Sequence, residues 1–212
     1  MPTAFERFRF SFFEDKDSAR QGLDLAALGE LNAEERARAE ALLMAYLPDA
    51  RGVIGLGVLR SARARPALLS LFEAEQRAQS ADGGDWYPYG LIDLARALWQ
   101  IDRDPRWPAA IIAVLTSAAD PIERQTAAEA LCDVDDPATI KALGGALDDS
   151  EPLVRYHAGR GLLIIHGVIS AGSLPPTDTG HMLYLIMSND PARREGGKQD
   201  ILAAIGLPLG FH

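Results

Sequence analysis

The chain has 212 residues, 48% hydrophobic and 24% charged, with a net charge of −9 and one cysteine, Cys132. A chain of that length buries roughly 70% of its unfolded surface without a disulfide or metal staple, and a lone cysteine makes no internal bridge. The negative balance argues against a nucleic-acid binder, because affinity for phosphates comes from clustered Lys and Arg.

Phe5, Phe8, Phe10, Phe12 and Phe13 are five of the seven phenylalanines, and the polar run EDKD follows them. An aromatic segment of this kind is expected to fold over the unpaired flank of a first repeat and cap it; the other reading is a partner-binding arm. Residues 33–47, AEERARAEALLMAYL, predict an amphipathic helix with Asn32 as its cap. GVIGLGVLRSARARPALLSLF (52–72) predicts a helical pair. Its Gly55 and Gly57 resemble the start of a dinucleotide loop, but Arg60 stands where the third glycine is needed.

AQSADGGDWYPYG, residues 78–90, is expected to lengthen the next connection. It brings Trp86, Tyr87 and Tyr89, residue types favoured at binding hot spots, onto a loop. The alternative is that the aromatics fold back over a repeat seam.

DLARALWQIDRDPRWPAAIIAVL aligns with TAAEALCDVDDPATIKALGGAL, Leu98 falling 33 residues before Leu131 and Leu115 falling 32 before Leu147. In that second copy Asp120 is placed to cap a helix that begins at Pro121, where a missing N–H costs nothing. Asp136-Pro137 repeats the device, and the apolar positions recur near helical period. DSEPLVRYHAGRGLL (149–163) continues the pattern. Pro121, Arg124 and Leu131 match Pro152, Arg155 and Leu162, each 31 residues on, and Pro191 and Arg194 begin it again after 39. Arg124 and Arg155 therefore read as a structural ladder bonding helix ends and neighbouring aspartates, not as catalytic groups. HGVISAGSLPPTDTG interrupts the array before a last helical pair.

Two helices this short bury no core alone, so the units must stack. The run Asp120-Pro121, Arg124, Ala127-Ala128-Glu129-Ala130-Leu131, Asp136-Pro137, Ala142-Leu143, Ala146-Leu147, Asp148-Asp149 resembles a HEAT-like repeat of the type first described in phycobiliprotein lyases. One copy matches in full and others in part, over roughly residues 50–167. The resemblance implies an all-α HEAT-like helical-repeat solenoid, an α-α superhelix. Residues 1–48 would be cap and first helices, 49–167 the repeats, and 168–212 a C-terminal helical pair and tail. Bacterial proteins with such repeats include lyase chaperones, adaptors, inhibitors and immunity proteins, so the resemblance constrains architecture more than function.

No catalytic set emerges from the residues. DVDDPATIKALG has Ala138 and Gly144 where a calcium loop needs Gly and Glu. His157, His166, His181 and His212 form no i,i+4 pair, which leaves no zinc ligand set. The His-Glu dipeptides of the iron-binding HEAT hydroxylases are absent, and the best-formed repeats are too acidic for the HEAT-like purine glycosylases. Cys132 lies in the apolar register as a small core residue.

The expected function is therefore a protein-binding module without a cofactor. Residues 119–152 hold nine acids and two bases, a face that would steer a basic toxin or enzyme toward an immunity or inhibitor protein; the plainer reading is a solvated surface. Asp133, Asp135, Asp136, Asp148, Asp149 and Glu151 are the expected contacts, with Trp86, Tyr87 and Tyr89 as anchors, and Tyr156 and His157 as partner contacts or groove fillers. Charge reversal at Asp135 and Asp136 would slow association at low salt. Two rivals are a lyase-like chaperone of a tetrapyrrole protein, which would purify coloured, and an assembly scaffold with several weak partners. No apolar run approaches the ~18 residues of a membrane span, and MPTAFERFRF lacks the core of a secretion signal, so a cytoplasmic location is expected.

Overall fold

A computed structural model describes residues 1–13, 23–82, 89–171 and 173–208. Among these every regular element is helical, and helices that are neighbours in the chain pack in pairs, the arrangement of a HEAT-like helical repeat. The chain divides into two compact units, Met1–Trp107 and Pro108–His212.

The first unit begins with α1 (Ala4–Phe13), which Thr3 and Glu6 cap reciprocally: the Glu6 amide donates to Thr3 Oγ1 at 3.1 Å and the Thr3 amide to Glu6 Oε2 at 2.8 Å. Phe5, Phe8 and Phe12 are buried against α2 (Leu25–Glu30) and α3 (Ala33–Ala45), with the Arg38 guanidinium 4.3 Å above the Phe5 ring. Phe10 and Phe13 are exposed. Asn32 caps α3 in a full capping box with Glu35.

α4 (Ala50–Val58) and α5 (Arg65–Asp82) are the two helices expected at 52–72, and each packs on α6 (Tyr89–Asp102), α4 at Gly57. α5 runs further than the sequence suggests. Ala78 to Asp82, assigned above to a loop, continue the helix because no breaker occurs before Gly83-Gly84. Trp86 and Tyr87 lie outside the described residues. Tyr89 opens α6, with its side chain likewise undescribed.

α7 (Arg106–Ser117) leads into the second unit, followed by α8 (Pro121–Ala130), α9 (Pro137–Ala146), α10 (Pro152–Ile165), α11 (Thr177–Ile186) and α12 (Pro191–Ala204). Asp120, Asp136 and Asp190 each accept amide bonds from the first turn of the helix that follows, and each of those helices opens with proline. α10 is the hub. It packs on α8, α9, α11 and α12 and buries Val154, Ala158, Leu162 and Leu163. Gly167 at φ +71 ends it in a Schellman turn, with the Val168 amide on the Leu163 carbonyl at 2.9 Å and the Gly167 amide on that of Ile164 at 2.9 Å.

Candidate protein-binding site

The site residues of the second unit sit around α9 and the start of α10. Asp133 and Asp135 are exposed in the turn before α9. Asp136, next to them, is engaged within the fold, its Oδ1 accepting the Ala138 amide at 2.9 Å and the Thr139 amide at 3.3 Å. At the far end of α9, a ten-residue helix of about 15 Å, stand Asp148 and Asp149. Asp148 is half exposed and pairs with Lys198 Nζ at 2.5 Å. The six acids are therefore split between the two ends of one helix.

Asp149 is bound by the repeat's arginine. Arg124 Nε and Nη2 donate to its two oxygens at 2.8 and 3.0 Å, and Nη1 donates to the carbonyls of Ala118 and Ala119, both at 3.0 Å. Burial alone would raise the Asp149 carboxyl, but the Arg124 bonds and the Glu151 amide together hold it below the ordinary carboxylate range. Asp149 Oδ1 accepts that amide at 2.9 Å and so caps α10 from outside it, while Glu151 itself makes no side-chain cap. Glu151 is half-buried.

Arg155 occupies the matching place one repeat later and keeps the backbone half of the arrangement. Its Nη1 donates to the carbonyls of Asp149 and Ser150 at 2.7 and 2.8 Å, the counterparts of Ala118 and Ala119. The carboxylate half is replaced. Ser188 stands where Asp149 would recur, and the guanidinium takes the carbonyls of Ile186, Met187 and Ser188 at 2.7, 3.3 and 3.2 Å. The residue is fully buried, and burial, followed by repulsion from Arg194, lowers its pKa.

Tyr156 and His157 follow on α10, half-buried, with ring centroids 5.2 Å apart at right angles. His157 Nδ1 is buried with no hydrogen-bond partner, its backbone carbonyl lies 3.5 Å from Cys132 Sγ, and burial lowers its pKa against the pull of Glu129. Burial thus favours the neutral form of the imidazole. Because its pKa is lower folded than unfolded, the unfolded chain takes up the proton first as pH falls below about 6.5. Stability contributed by neutral His157 is complete above that pH and declines on acidification until the folded-state pKa is passed. Urea midpoints measured between about pH 7 and pH 5.5 should fall, and His157→Gln should flatten part of the slope. An identical slope in the variant would contradict this role.

One feature of the unit was not legible in the sequence. A groove of about 830 Å³ opens between the C-terminal half of α7, with Ile112 and Leu115, and the length of α9, with Ala138, Ala142, Gly145 and Ala146; Lys141 lies on its rim and Asp148 to Ser150 close one end. Its width depends on how far two helices stand apart, which no local pattern encodes. Among the described residues no group of three His, Cys, Asp or Glu is arranged to hold a metal, and no helix is long and apolar enough to cross a membrane.

No curated protein and no solved structure is significantly similar to the chain. Residues 108–175, from α7 to the connection after α10, match the model of the HEAT repeats, which supports reading the chain as a HEAT-like repeat protein, a class of interaction modules.

Proposed function

We propose that the chain is a non-catalytic HEAT-like module that binds one basic protein, a toxin or enzyme that it inhibits in the bacterial cytoplasm, through the acidic edge around α9. The observation that carries this reading is the exposure of Asp133, Asp135 and Asp148 within a segment of nine acids and two bases. Such a field raises the encounter rate with a cationic surface and falls off with salt. Asp136 and Asp149 support the site by holding its helices, through the first-turn amides of α9 and through Arg124, and Asp148 remains half exposed while paired with Lys198.

Capture of the tagged protein's partner from its own cells, with mass spectrometry and a salt series, tests the reading. The expected result is one stoichiometric basic protein. Reversing the two exposed turn acids, Asp133→Lys with Asp135→Lys, should slow association with that partner roughly tenfold at low salt. An unchanged association rate would remove this surface from the function. A bound pigment, or a scatter of weak partners, would overturn the single-inhibitor reading.

A further inference from the structure

We infer that the groove between α7 and α9 receives an amphipathic α-helix of the protein partner, with an aliphatic ridge inserted and basic residues along its flanks; this deepens the proposed binding of a basic protein and rests on it.

The groove has the chemistry of a docking surface. Its walls are Ile112 and Leu115 on one side and Ala138, Ala142, Gly145 and Ala146 on the other. The four small residues fall at i, i+4, i+7 and i+8, one face of α9. With nothing beyond a Cβ on that face apart from Lys141 at its margin, an incoming helix can bring its axis close and place larger side chains against Ile112 and Leu115. A Cβ built at Gly145 meets no atom within 4 Å, so the trench is open there and not filled by a neighbour.

The form of the occupant follows from the walls. Both are helices whose backbone groups are paired internally, so they offer no edge to which an extended strand could hydrogen-bond. A helix satisfies its own backbone and needs only side-chain contacts. Two to three turns suffice, since the face from Ala138 to Ala146 spans about 12 Å.

Charge complementarity gives the sign of the flanks. Within the groove Arg124 is neutralised by Asp149, leaving Lys141 on the rim as its other cation. Asp133 and Asp135 stand exposed before the N-terminus of α9, Asp148, paired with Lys198, stands half exposed beyond its C-terminus, and the segment 119–152 has a surplus of seven acids. An apolar trench set in an acidic field selects a partner that is apolar in the middle and cationic at its margins.

The test uses the full chain and two synthetic peptides of about 14 residues, both capped and equally basic. One carries leucines at helical spacing and the other carries serines at the same places. Binding is read by fluorescence anisotropy against the wild type, Gly145→Leu, and the Asp133→Lys, Asp135→Lys pair. Gly145→Leu extends from an open Cβ position into the trench and removes a helical glycine, so its melting temperature should hold or rise. Ala138→Leu, at the exposed start of α9, is a second filler.

The leucine peptide should bind the wild type at least tenfold more tightly than the serine peptide, and each filler should weaken it at least tenfold. Equal binding by the two peptides, undiminished binding to both fillers, or no binding of the leucine peptide overturns the groove as the docking site. If the peptides bind equally and only the acid reversal weakens them, the groove inference fails while the acidic-edge reading stands. If the fillers weaken the leucine peptide and the acid reversal does not, the groove stands and the acidic edge falls.

Discussion

Arg155→Met should destabilise the second unit by about 4 kcal/mol, read as a lowered urea midpoint for the loss of helical ellipticity. The side chain is fully buried and donates to five backbone carbonyls, those of Asp149, Ser150, Ile186, Met187 and Ser188. Methionine fills much of the same volume but removes the donors from those acceptors, of which the Ile186 carbonyl is buried and the others are partly buried, and each orphan that stays buried costs about 1–3 kcal/mol. Partial relaxation of the connection after α11 keeps the total below their sum. Arg155→Lys should recover little, because an ammonium is a point donor and does not span carbonyls from two connections. Arg124→Met should cost less, since Asp149 is in partial contact with solvent and can be hydrated. A loss under about 1 kcal/mol for Arg155→Met would mean that the carbonyls find other donors.

Two adjacent glycines should answer alanine with opposite signs. A Cβ at Gly197 would lie 2.6 Å from the Ile186 amide nitrogen and 2.8 Å from Leu185 Cβ, where α12 crosses α11, and backbone cannot step aside as a flexible side chain does. A Cβ at Gly196 meets nothing within 4 Å. Gly196→Ala should therefore stabilise by about 0.5–1 kcal/mol through helix propensity. Gly197→Ala has the same propensity gain, and the forced separation of two helices outweighs it, for a net loss of about 2 kcal/mol or more. Thermal melts of the two variants decide the matter. Equal shifts would show that α11 and α12 are not held at this distance.

Much of the fold was legible in the sequence where the governing chemistry is local. Asp120-Pro121, Asp136-Pro137 and Asp190-Pro191 each combine a capping carboxylate with a residue that needs no amide donor, and each starts a helix. The equivalence of Arg124 and Arg155 was also readable from spacing, and both bond helix ends. What they bond was not fully readable. Arg124 meets a carboxylate, whereas Arg155 meets only carbonyls, because the longer connection after α10 delivers Ser188 in the place of an aspartate.

The end of α5 was misjudged because a run of small polar residues is compatible with loop and helix alike. At the site, acidity could be counted from composition, but the sequence could not separate acids that face outward, such as Asp133 and Asp135, from Asp149, whose partner lies 25 residues away.

The carbonyl clasp on Arg155 also sets an order of events in synthesis. Its upstream acceptors, Asp149 and Ser150, precede it in the chain, but its downstream ones follow 31 to 33 residues later. At typical elongation speeds that is an interval of roughly 2–7 s. A nascent chain ending before Ile186 has α8, α9 and α10 in hand and a guanidinium that cannot yet be buried with its donors satisfied. Nε and Nη2 of that side chain therefore stay hydrated until the end of α11 leaves the ribosome, and the clasp on Arg155 closes from its C-terminal side.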